Sequence, residues 1–272
     1  MSKINLFGLL LFSLFFYSGC INGSRNGILV KTYDNYGNLI TEQELTKDSI
    51  KNGFHKDYYP NGMIKELSFY KGGKKDSVDI LYDSIGKMEF KYFNKNGQLD
   101  GSYFKFYDNG NVEYVLNFFE GKKNGPGSGY FPNGIIRNYY DYDGQGNLRF
   151  KINYNSNGEK ESEDGHAIID VQSNKESRSL QIGDTFIANL IMAIPPHEKR
   201  TLFIHLSQKN NSETLIDTIN LKQSRIYSFR HYCNKEEHII YRLVFQMQDS
   251  TTMDIDTSYA VMLKLSIGKK NT

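Results

Sequence analysis

Six histidines, two cysteines and scattered carboxylates are the side chains of this chain able to do acid–base, nucleophilic or metal chemistry. The tightest cluster is His231, Cys233 and His238. Its His-x-Cys-x4-His spacing is not a zinc pattern, and no second ligand pair lies nearby in sequence. His197-Glu198 follows Pro195-Pro196 without a second histidine, which excludes a helical zinc-hydrolase motif. Gly127-Ser128-Gly129 has its glycines at the wrong offset for a nucleophile elbow. Gly121-Lys122-Lys123-Asn124-Gly125 lacks the Gly-Lys-Ser/Thr end of a phosphate loop. Glu236-Glu237 sit in a loop-like stretch, where nothing aims two carboxylates at one substrate. The expectation is a protein with no catalytic residues, no cofactor and no metal. Lone Cys233 reads as a small buried hydrophobe.

The remaining reactive residue, Cys20, stands in a directing context. After Lys3, residues 4–17 form an apolar run, too short to span a membrane, which takes about 20 residues. Such a run fits the h-region of a secretory signal, and it ends in Ser18-Gly19-Cys20. These residues resemble the lipobox of bacterial lipoproteins. The resemblance implies a signal peptide over 1–19, a diacylglycerol on Cys20, and a lipidated cysteine and tether over 20–30. It also implies export to the bacterial cell envelope, periplasmic or surface-facing, with the membrane as one partner. Each buried methylene of such a lipid contributes about 0.8 kcal/mol.

The elements behind this address are repeats. Gly62, Gly86, Gly110, Gly134 and Gly158 recur every 24 residues. The aromatic four places earlier keeps the step: Tyr58, Tyr82, Phe106, Tyr130, Tyr154. An apolar residue follows two places after the first four glycines, at Ile64, Met88, Val112 and Ile136. A second turn column runs Gly73, Gly97, Gly121 and, after a one-residue insertion, Gly146; a third reads Gly53, Ser77, Gly101, Gly125. Asn-Gly recurs at the turns, and both residues tolerate positive φ. Between turns, Tyr, Phe, Ile, Val and Leu alternate with polar residues, a strand pattern. One hairpin cannot bury its own face, so the units must stack into one twisted antiparallel sheet.

The segment from Phe119 to Tyr130 resembles a MORN repeat. Asn96-Gly97-Gln98-Leu99-Asp100-Gly101, followed by Tyr107-Asp108-Asn109-Gly110, resembles the bacterial MORN-variant repeat, some of whose carriers belong to the YwqK antitoxin family. The resemblance covers roughly residues 30–160. It implies an all-β fold whose array, over 31–162, is a single-layer antiparallel sheet. It also implies a binding or scaffold role, or alternatively an antitoxin or immunity role against a toxin.

Composition shifts near residue 165. Of 20 Tyr only four, and of 24 Gly only two, lie beyond it. Apolar alternation there, as in Ile239, Tyr241, Leu243, Phe245 and Met247, marks strands. About seven strand candidates, with turns at Pro195-Pro196 and Asn210-Asn211, suggest an immunoglobulin-like β-sandwich over 166–272.

The net charge is +2, and residues 1–165 carry 20 basic and 20 acidic side chains, so nucleic acid is not an expected partner. The column Tyr58, Tyr82, Phe106, Tyr130 and Tyr154 is the candidate binding surface, for a protein or glycan. The competing reading is that these aromatics are buried within the protein itself.

Overall fold

The structure is a computed structural model, and it describes residues 27–196, 198–207, 213–221, 224–249 and 255–269. Cys20 with the rest of 1–26, His197 and Asn210-Asn211 lie outside the described residues. Every regular element among the described residues is a strand.

Strands between Ile28 and Gly165 form one 14-stranded antiparallel sheet in which the long strands neighbour each other in chain order. They are Ile28–Tyr33, Leu39–Leu45, Lys51–Tyr58, Ile64–Lys71, Ser77–Tyr82, Met88–Lys95, Gln98–Phe106, Val112–Phe119, Gly125–Tyr130, Ile136–Tyr142, Leu148–Tyr154 and Lys160–Gly165. Lys160–Gly165, at the shift in composition, is thus the last strand of the array.

The two edges where the chain turns use different chemistry. On the edge of Gly62 and its periodic equivalents, five residues close each turn. Tyr59 N donates to Met63 O and Gly62 N to Tyr59 O, with the same pair of bonds at 83–87, 107–111, 131–135 and 155–159. Only the glycine is left-handed: φ is +81° at Gly62, +84° at Gly86, +83° at Gly110, +85° at Gly134 and +85° at Gly158. A side-chain oxygen satisfies the remaining donors. Asp83 Oδ1 accepts from Ile85 N and Lys87 N, whereas Asn61 and Asn109 do the job from mid-turn, accepting from Met63 N and Asn111 N.

At three turns of the opposite edge two residues suffice, and both are left-handed: Gly72-Gly73, Asn96-Gly97 and Glu120-Gly121. This is the two-residue hairpin that Asn-Gly favours. The first turn there, Thr46–Ile50, takes five residues, with Ser49 left-handed. Gly146, expected in this column, instead closes a five-residue turn, because Asp143 accepts from Gln145 N and Asn147 N.

Several turns are bonded to the neighbouring unit. Asn61 Nδ2 donates to Ser84 O at 2.6 Å and Asn109 Nδ2 to Pro132 O at 2.8 Å. Across the sheet, Gly97 N donates to Lys75 O and Gly121 N to Leu99 O. These bonds run along the array and fix the register between units.

Beyond Gly165, strands Ile168–Ser173, Thr185–Met192 and Ile226–Tyr232 form a three-stranded sheet. Leu180–Gln181, Ile255–Gly268, Glu237–Asp249, Glu198–Ser207 and Glu213–Asn220 form a five-stranded one in that spatial order. The alternation read from sequence faces inward as written: Leu243, Phe245 and Met247 are fully buried, with Leu202, Leu265 and Ile267 beside them. Both sheets contribute to one core, and so do Ile136, Tyr139, Phe150, Ile152 and Tyr154 of the array.

Two substitutions test the turn chemistry. At Gly110 a Cβ would meet nothing within 4 Å, so the cost of Gly110→Val is backbone strain alone. It should destabilise by about 1–3 kcal/mol in urea unfolding. Glu120 holds φ at +48° without being glycine, which costs about 1–2 kcal/mol. Glu120→Gly should therefore raise the stability measured in urea unfolding by about 0.5–1 kcal/mol, net of the added freedom of the unfolded chain.

Candidate binding surface

Strand alternation gives the array two unlike faces. Cross-strand partners on the first run Gln43, His55, Ser68, then, beyond Asp79, Tyr92, Tyr103 and Leu116. Tyr92 stacks on Tyr103 at 5.4 Å and 15° between planes, and Tyr103 on Tyr114 at 6.2 Å and 8°. Ring faces are thereby spent on neighbouring rings, and only edges and hydroxyls look outward. Beside this ladder, Lys75 Nζ lies 2.6 Å from Glu66 Oε1 and 2.9 Å from Asp79 Oδ1, while Asn94 donates to Asp79. Burial pushes the Asp79 carboxyl up, against the pull of the ammonium. Two carboxylates thus share one lysine and one amide.

The second face carries an unbroken row of partners from end to end: Glu42, Lys56, Leu67, Ile80, Lys91, Phe104, Val115, Ser128, Tyr139, Ile152, Glu163. Phe54, Phe69, Val78 and Phe93 flank it. The two ends of this row differ. Tyr139 and Ile152 are buried at 2% and 0% exposure beneath the C-terminal sheets, whereas Leu67, Ile80 and Phe104 stay half-buried and Phe69 is exposed. Among the described residues, none before Tyr130 belongs to the core or packs against it.

The candidate column lies on this second face by alternation. Tyr58 donates to Glu42 Oε2 at 3.1 Å, and Phe106 stacks on Phe104 at 6.3 Å. Tyr58, Tyr82 and Phe106 are half-buried, Tyr130 packs against the edge of the core, and Tyr154 is inside it at 6% exposure. The column therefore divides: Tyr154 is buried within the protein, whereas Tyr58, Tyr82 and Phe106 stay partly accessible. The turn glycines line one edge and touch neither face. Cys20 lies outside the described residues. Cys233 is buried, its backbone bonded to Asp184 and Gly183, and His231 Nδ1 pairs with the Tyr241 hydroxyl at 3.0 Å. Among the described residues no three His, Cys, Asp or Glu side chains come together to hold a metal ion.

Where the apolar face meets the C-terminal unit, a groove of about 500 Å³ opens between Tyr130, Ile136 and Tyr139 on the array and Ile194 and Pro196 opposite. One polar clamp holds its wall. Arg225 forks onto Asp141, with Nη2 to Oδ1 at 2.6 Å; the Tyr139 hydroxyl donates to Asp141 at 2.8 Å and accepts from Ile194 N at 2.8 Å. Asp141 is completely buried, and that burial raises its carboxyl in spite of Arg225. Nearby, Tyr259 meets Phe150 edge-on and donates to Glu163. None of Asp141, Arg225 or Ile194 is legible as a functional residue in the sequence, because partners 84 residues apart share no local pattern.

No family model matches the chain, and no curated protein matches it.

Breaking the clamp from one side should be costly. Arg225→Met leaves a buried carboxylate without its cation and should destabilise by about 3–5 kcal/mol in denaturant unfolding. The double variant Asp141→Leu/Arg225→Met should recover most of that loss, since the charge it would strand is gone.

Proposed function

We propose that the chain is a non-enzymatic protein of the bacterial cell envelope, anchored by a lipid on Cys20, that binds a partner protein through the apolar face of its repeat sheet. The observation that carries this reading is the uncovered part of that face. Phe54, Leu67, Phe69, Ile80, Phe93, Phe104 and Phe106 lie outside the core, half-buried or exposed, on a sheet one layer thick. Contiguous apolar patches beyond a few hundred Å² are uncommon on monomers and mark interaction surfaces. Lys56 and Lys91 stand in the same row, so a partner with apolar anchors and acidic neighbours fits it best. A glycan is the poorer fit. Sugars stack on ring faces, and on the tyrosine side those faces are occupied by other rings.

The 24-residue hairpin unit supports a MORN-variant reading of the array. The strand order supports an immunoglobulin-like reading of the C-terminal unit: one sheet takes its first, third and sixth strands, the other its second, eighth, seventh, fourth and fifth.

The test is capture from envelope extracts with the full chain. Ile80→Asp/Phe104→Asp should lose the captured protein while keeping its β-sheet circular dichroism, and Ile226→Asp, an exposed change on the C-terminal unit, should keep it. The reverse pattern would move the binding surface to that unit. For the anchor, Cys20→Ser should yield an uncleaved or soluble precursor; a variant of wild-type mass at wild-type level in the membrane fraction would sink it.

A further inference from the structure

The two ends of the long sheet are built differently. At its C-terminal end, strand Lys160–Gly165 reads Lys-Glu-Ser-Glu-Asp-Gly. Carboxylates along an edge repel an incoming strand. The chain also leaves this end pinned: His166 N donates to Arg149 O, and a Cβ on Gly165 would lie 2.1 Å from that same oxygen. The N-terminal end has a single edge charge, Lys31, and no such pin among the described residues. Strand Ile28–Tyr33 reads Ile-Leu-Val-Lys-Thr-Tyr and, among the described residues, pairs only with Leu39–Leu45. Ile28 is 49% exposed, Leu29 52% and Tyr33 57%, and Tyr36 on the adjoining turn is 92% exposed. Ile28 and Leu29 are neighbours, so they lie on opposite faces of the sheet. Apolar exposure on both faces, beside a row of N–H and C=O groups that no strand among the described residues pairs with, suits an added strand. It does not suit a lipid surface, which would leave those backbone groups unsatisfied in hydrocarbon.

We infer that this edge is a homodimer interface, in which the strand Ile28–Tyr33 pairs antiparallel with the same strand of a second copy. The asymmetry of the ends selects that occupant. Head-to-tail addition would set Ile-Leu-Val against the acidic strand of the other end and would propagate into a fibre. Like-to-like pairing keeps both strands clear of those carboxylates and closes after one step. A two-fold axis perpendicular to the sheet keeps the apolar faces of both copies on one side. It then requires a residue, or a hydrogen-bonding pair, to face its own equivalent. Centring on Val30 places Val30 against Val30, Leu29 against Lys31 and Ile28 against Thr32. Lys31 keeps its ion pair with Glu42 at 3.2 Å. Centring on Lys31 would oppose two ammonium groups, which is unfavourable. The two copies together would form one sheet of double width, whatever its apolar face binds.

The mature chain, extracted in mild detergent, should scatter light as twice its own polypeptide mass, which is the 31.4 kDa of the 272 residues less residues 1–19. Directly opposed residues of an antiparallel pair have Cα atoms about 4.5–5.5 Å apart, within disulfide reach. Val30→Cys should therefore oxidise to a covalent dimer whose bond maps to position 30, where the wild-type chain treated alike gives none there. Val30→Lys, which opposes two charges at the axis, should weaken dimerisation at least tenfold and leave the circular dichroism unchanged. A monomeric wild-type chain at tens of micromolar would overturn the inference, whether its edge is covered by residues 1–26 or lies on lipid. So would a dimer indifferent to Val30→Lys, or one that Val30→Cys fails to cross-link.

Discussion

A sheet one layer thick has no interior, and everything else in this protein answers that constraint. In an ordinary domain a second layer covers the apolar side of each strand. Here the repeat strands must find cover from their own neighbours, or go without. On the tyrosine face they find it laterally. Rings stack on rings across Tyr92, Tyr103 and Tyr114, and long polar side chains close over what remains. That is how Ser68 and Asp79 come to be buried at 0% and 1% exposure on a sheet that no second layer covers there among the described residues. Charge is tolerated there because Lys75 satisfies Glu66 and Asp79 together. On the other face the cover comes from outside. It is supplied by the C-terminal sheets over the last units and by nothing among the described residues over the first.

The turns do the rest of the stabilising work, since a hairpin alone is marginal in water. Bonds such as Asn109 Nδ2 to Pro132 O and Gly121 N to Leu99 O connect one unit to the next rather than closing a unit on itself. Stability in such an array is a sum of unit and nearest-neighbour terms. The units gripping the C-terminal core through Tyr139, Phe150 and Ile152 have an extra neighbour, and the first units have one fewer. Exposed large apolar side chains gather accordingly at Ile28, Leu29, Tyr33, Tyr36, Ile40 and Ile50.

What could be read from the sequence was local and periodic. The 24-residue glycine and aromatic columns specify hairpins, because positive φ and strand alternation are properties of neighbouring residues. The turn class was only half legible. Asn-Gly marks a two-residue turn at Asn96-Gly97, where both residues are left-handed, but at Asn61-Gly62 the asparagine is right-handed and serves by accepting from Met63 N. Gly146 shows the same limit: its turn class is decided by Asp143, three residues upstream. The clamp was not legible at all. Asp141 reads as one more polar residue between two tyrosines, and only the packing of a separate unit places Arg225 on it.

The position of that clamp bears on why the C-terminal unit sits where it does. A cap placed on the sheet edge at Gly165 would protect backbone but leave both faces open. The unit instead lies on the apolar face. It buries Phe150 and Ile152 completely, and the last strand is left to guard its own edge with carboxylates. Covering a face by hydrophobic burial gains about 25 cal/mol per Å², whereas an edge strand can be kept solvated and repulsive at little cost. Only one buried ion pair then has to set orientation, because apolar contact alone is non-directional. Arg225 and Asp141 supply the direction, and the Tyr139 hydroxyl ties Asp141 to the backbone of Ile194. The groove beside that tie is therefore held open at the point where the covered and uncovered parts of the apolar face meet. A partner lying along the first units would reach a rigid end wall there.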